Sequence, residues 1–76
     1  MQKLVEFVAR SLVEEPGAVE VHEVRTDPAV VYQLRVAPGD VGRIIGKHGR
    51  TAQALRVLLG ASAARTGQRA ALEIQE

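Results

Sequence analysis

Cysteine and tryptophan are absent from this chain, and phenylalanine and tyrosine occur once each, as Phe7 and Tyr32. The missing cysteines exclude disulfide frameworks, thiol nucleophiles and cysteine zinc sites together, and fit a reducing compartment. Two histidines without an H-x-x-x-H spacing or clustered carboxylates provide no metal site. Glu14-Glu15 is a helix end before a proline, not a catalytic pair, and Ser11 and Ser62 have no triad partners. No apolar run approaches the ~18 residues of a membrane span. The charges spread through MQKLVEFVARSLVEE exclude a signal peptide. A cytoplasmic, non-enzymatic protein with no cofactor, no membrane contact and no small-molecule substrate is therefore expected.

What is there belongs to one domain over residues 1–76, 46% hydrophobic and 25% charged, the balance of an ordinary globular fold. The net charge of +1 hides an asymmetry. Residues 1–34 carry three basic and six acidic side chains, a sum of −3; residues 35–76 carry seven and three, a sum of +4. A polyanion would meet the second part.

Helical periodicity over residues 3–14 puts Leu4, Val5, Val8 and Leu12 on one side with Phe7 near its edge, and Pro16-Gly17 stops that helix. Residues 19–25, VEVHEVR, read as a strand in which Val24 breaks the alternation and hints at a bulge. In residues 30–36 Val30, Tyr32, Leu34 and Val36 alternate with Val31, Gln33 and Arg35, the clearest strand pattern of the chain. Asp40 stands where an N-cap would open a short helix through Val41, Ile44 and Ile45. A long helix follows over residues 50–65, with Leu55, Leu58 and Ser62 on one line and Gly67 as its stop. Residues 69–75 form a last strand. The order predicts an α+β fold, αββααβ, with a three-stranded mixed sheet covered on one face by three helices. The strands flanking the helix pair are expected as parallel neighbours.

Between the two later helices lies GRIIGKHGRT, residues 42–51. A helix broken by G-x-x-G turns an outward corner at Gly46, Lys47, His48 and Gly49. Glycine admits positive φ and the close approach of another chain. The helix beginning near Arg50 aims its free N–H groups and positive dipole end at that corner, which suits an anion. Lys47 adds a mobile charge, with Arg50 and Arg43 as flanks. Ile44 and Ile45 can bring an apolar side chain beside it. Phosphates along the loop and bases over an apolar trough would suit single-stranded nucleic acid. His48 is either a phosphate donor or an exposed spacer. A Walker-type loop is excluded, because only three residues separate Gly42 from Gly46 and His48 stands where serine or threonine belongs.

The run VAPGDVGRIIGKHGRTAQALRVLL resembles the signature of KH domains, whose I-I-G-x-x-G core is matched by Ile44, Ile45, Gly46, Lys47, His48 and Gly49. The element order resembles the type II arrangement. The short length and the run DVGRIIGKHGRTAQALR make the chain similar to small bacterial single-KH proteins of the KhpA/YlqC type. The resemblance implies an RNA-binding protein of low sequence specificity, an RNA chaperone or post-transcriptional regulator, holding about four nucleotides. In such a domain the Gly46–Gly49 loop contacts phosphates, and Val41, Ile44 and Ile45, more weakly Leu34 and Val36, line the groove. With about three phosphates neutralised, the log–log salt slope would be roughly −2. Neither aromatic belongs to the motif, so base stacking on a ring is not expected. Aspartate at Gly46 or His48 is expected to weaken RNA binding and leave the fold intact.

On the long helix, Val57, Gly60, Ala61 and Ala64 make a small, apolar surface, either a self-association face or simply good helix formers. The resemblance points to association, as a homodimer or with a larger Jag-type KH protein. A second reading is a protein-interaction subunit that works through the helix 50–65 surface without significant RNA binding.

Overall fold

The alternation at residues 29–35 builds the central strand of the sheet. In the computed structural model, which describes Met1–Glu76, α1 spans Gln2–Leu12, β1 Glu20–Thr26, β2 Ala29–Arg35, α2 Val41–Ile45, α3 Arg50–Ala64 and β3 Arg69–Gln75. Single 3-10 turns occupy Pro16–Ala18, Pro38–Asp40 and Lys47–Gly49. The sheet order is β1-β2-β3. β1 runs antiparallel to β2 across the Asp27-Pro28 turn. β3 returns parallel to β2, in register from Ala29↔Arg69 to Arg35↔Gln75. A parallel return needs a crossover, and α2 with α3 supplies it. No helix is long and apolar enough to cross a membrane.

All three helices lie on the face of the sheet that carries Val30, Tyr32 and Leu34. Val5 of α1, Leu34 of β2, Ile44 of α2 and Leu59 of α3 are the largest fully buried side chains. One comes from each of four elements, so the core ties every helix to the central strand. Burial of each contributes roughly 1.5–3 kcal/mol.

The structure corrects several helix faces. α1 stops at Leu12 and turns Val5 and Ala9 inward; Leu12 is 37% exposed. Phe7 lies on the opposite side, 71% exposed, because it follows Val5 by about 200° of helix rotation. α3 buries Ala52, Leu55 and Leu59, leaving Leu58 47% exposed. Leu55-Leu58-Ser62 and Ala52-Leu55-Leu59 share the same spacing, and packing on the sheet selects the second.

β1 has no bulge: its pairing with β2 runs unbroken from Glu20↔Arg35 to Thr26↔Ala29. Only Val21 of this strand is buried. The broken alternation has another cause. The helix layer does not cover the far end of β1, so Glu23 and Arg25 share Val21's face yet reach water. Both free sheet edges carry a side-chain donor: Gln2 Nε2 donates to the Val21 carbonyl at 2.9 Å, and Arg56 Nη2 lies 3.5 Å from the Leu72 carbonyl. Such cover blunts an edge against strand addition.

Candidate nucleic-acid interface

The corner between α2 and α3 is set by backbone conformation. Gly46 has φ +78° and ψ 174°, His48 φ +59° and ψ 25°, and Gly49 φ +74° and ψ 11°. Three of four consecutive residues thus have positive φ, a costly arrangement for residues with a Cβ. The Gly46 N–H donates to the Gly42 carbonyl at 2.9 Å, and the Gly49 N–H to the Gly46 carbonyl at 3.1 Å. Space restricts Gly46 as well. A Cβ there would lie 2.7 Å from the Thr51 Cβ and closer still to its hydroxyl. Aspartate at Gly46 therefore strains the fold, against the sequence expectation. At Gly49 a Cβ would meet nothing within 4 Å.

Lys47, His48 and Arg50 are exposed at this corner. None takes part in the four ion pairs of the structure. No side chain caps the N-terminus of α3, and no acid stands in its first turn. The surroundings reinforce the sign. From Val41 to Leu72 the chain holds Arg43, Lys47, Arg50, Arg56, Arg65 and Arg69 and no Asp or Glu. An uncapped helix start flanked by unpaired cations attracts anions.

Arg43 belongs to a different assembly. Its guanidinium pairs with the Glu14 carboxylate and, through Nε, with Asp40 Oδ1 at 3.2 Å. On α2 it stands about 160° from Ile45, at about 100° per residue. Asp40 is 3% exposed. It does not cap α2 with its side chain, as the sequence pattern suggests. Its two carboxylate oxygens instead accept the backbone N–H groups of Glu14 and Glu15, each at 3.1 Å. The end of α1 is thereby clipped to the start of α2.

The isoleucine pair divides its work. Ile44 is fully buried and Ile45 is 40% exposed beside the loop. Val41 is half-buried, whereas Leu34 and Val36 are inside the core. The surface beside the corner is thus formed by Ile45 and the edge of Val41. Sequence reasoning missed Thr51, which carries no chemical signature, and Glu14, which reads as a helix end. On the outer face of α3, Val57 is 60% exposed, Ala61 and Ala64 are exposed, and Gly60 is half-buried.

A family model described as the KH domain of KhpA/KhpB matches residues 2–74. Among curated proteins, the chain is 51% identical to the RNA-binding protein KhpA of Treponema pallidum, over 96% of this chain and 91% of that one. It is 45% identical to the RNA-binding protein KhpA of Caldanaerobacter subterraneus subsp. tengcongensis, over 97% and 99% of the two chains. It is 41% identical to its namesake in Chlamydia trachomatis, over 100% and 97%. No solved structure matches the chain.

Proposed function

This chain belongs to the KhpA/KhpB family of KH domains, and we propose that it binds single-stranded RNA through the corner at Gly46–Gly49. The observation that carries this reading is the joining of a fixed left-handed loop to an uncapped α3 start and unpaired Lys47 and Arg50. Phosphates sit against the loop N–H groups and these cations, and a base rests on Ile45. RNA binding is also what the relatives' names record. Backbone contacts carry no sequence information, so specificity is low, as suits an RNA chaperone or post-transcriptional regulator in the cytoplasm. The exposed outer face of α3, centred on Val57, supports pairing with a second copy or a larger KH-containing partner. Two linked grooves then raise avidity above that of one.

The test is anisotropy of a short unstructured RNA across a salt series, with wild type beside Lys47→Asp, His48→Asp. Both side chains are exposed, and aspartate tolerates the left-handed conformation at position 48 better than most residues. The variant is expected to keep its melting transition and lose roughly tenfold or more in affinity, with a shallower salt slope. Equal binding by both proteins would remove the corner from the RNA site and leave the α3 surface as the working part.

A further inference from the structure

Phe7 is the most exposed of the large apolar side chains, at 71%. The other aromatic, Tyr32, is 5% exposed. Phe7 lies in a shallow depression on the outer face of α1, lined by Lys3, Glu6, Phe7, Arg10 and Ser11. Lys3, Phe7 and Arg10 follow one another at i, i+4 and i+7, so a ring stands between two cations on one helix stripe. Nothing in the fold needs the ring there, since α1 packs through Val5 and Ala9. Lys3 has no ion-pair partner, and Arg10 pairs only with Glu6, at 3.2 Å and half exposed.

We infer that Phe7 is a stacking platform for an RNA base, with Lys3 and Arg10 holding the flanking phosphates, a contact site separate from the Gly46–Gly49 corner. The inference rests on the reading of the chain as an RNA binder and extends it to longer strands. The chemistry of the rim favours RNA over a protein partner. A docking helix or strand needs a contiguous apolar stripe, and here every other residue lining the depression is polar or charged. A base needs only one ring face, and the nearby cations match its phosphates. The longest dimension of the fold is 35 Å, so a strand of about twelve nucleotides, at about 3.4 Å of rise each, is long enough to reach both the corner and α1.

The experiment compares RNAs of about four and about twelve nucleotides on wild type, Phe7→Leu, Phe7→Tyr and the loop variant Lys47→Asp, His48→Asp. Phe7→Leu is expected to leave the melting transition and the short-RNA affinity unchanged. It weakens long-RNA binding roughly fivefold to a hundredfold. Phe7→Tyr retains wild-type binding. The salt slope stays constant in both, because stacking releases no counterions, whereas Lys3→Gln lowers it by about 0.7. In a chain without tryptophan, Phe7→Trp supplies a single indole whose emission the long RNA quenches and the short one does not. Wild-type affinity of Phe7→Leu for the long RNA, with binding lost in the loop variant, would overturn the platform and spare the corner. The converse pattern would keep the platform and remove the corner. A change of oligomeric state in Phe7→Leu, read by sedimentation, would make Phe7 a protein contact and overturn the inference.

Discussion

The side chain of Thr51 fills the space that a β-carbon on Gly46 would need, its own Cβ standing 2.7 Å from that position. The second residue of α3 thus locks the first residue of the loop. Steric exclusion and a φ of +78° act together, so Gly46 has two independent reasons to be glycine. Gly46→Ala is expected to destabilise the protein by about 1–3 kcal/mol in urea denaturation. Gly49→Ala, with open space around it, costs less. Equal stability in the two variants would show that Thr51 yields without cost.

Asp40 carries a second prediction. Its carboxylate holds the N–H groups of Glu14 and Glu15, and asparagine keeps one acceptor oxygen but turns an NH2 toward the other donor. Asp40→Asn is expected to lose about 1–3 kcal/mol in the same denaturation. Arg43→Ala removes a half-exposed guanidinium and leaves the buried Asp40 carboxylate its two N–H partners, so it costs below about 1 kcal/mol. If Arg43→Ala proves the costlier, the guanidinium rather than the carboxylate holds α1 to α2.

Burial raises the Tyr32 pKa above its ordinary value, and the Glu23 carboxylate across the strand pair raises it further. A raised folded-state pKa means that the folded protein holds the phenol proton more tightly than the unfolded chain. The resulting stability is fully present below the unfolded pKa of about 10 and is lost as pH rises through the folded value. Melting temperature is expected to fall above about pH 10, and Tyr32→Phe to flatten that fall. An unchanged alkaline profile in Tyr32→Phe would assign the loss to other groups.

The outer face of α3 supplies the fourth. Val57→Arg places a charge at the centre of the exposed apolar surface, at a position 60% exposed and outside the core cluster. Sedimentation is expected to show a loss of self-association with the monomer melting transition retained. A sedimentation coefficient equal to wild type would exclude that face from the contact.

Much of the fold is legible in local pattern. The alternation in β2, the G-x-x-G corner and the Gly67 stop each depend on neighbours in sequence, and each falls within about a residue of its expected place, whereas α1 already ends at Leu12, ahead of the Pro16-Gly17 break. The failures concern partners that are distant in sequence. Asp40 reads as a helix cap because its true partners lie 25 and 26 residues away. α3 is apolar around most of its circumference, so periodicity alone does not choose between Leu58 and Leu59. Val24 suggests a bulge because sequence does not say where the helix layer ends. Within the site, the loop residues are legible as a motif. The separation of Ile44 from Ile45, and of Arg43 from Lys47, arises only when α2 settles on the core.

The left-handed residues of the loop have a further effect. Gly46, His48 and Gly49 take their conformation when the chain folds, with Thr51 and the Gly42 carbonyl holding the corner from behind. Little backbone freedom is left for a ligand to remove, so the ordering cost that weakens binding by mobile loops is small here. The corner offers every ligand the same backbone shape. In the proposed RNA complex, adaptation to different strands would fall to the side chains of Lys47 and Arg50, which stand in solvent.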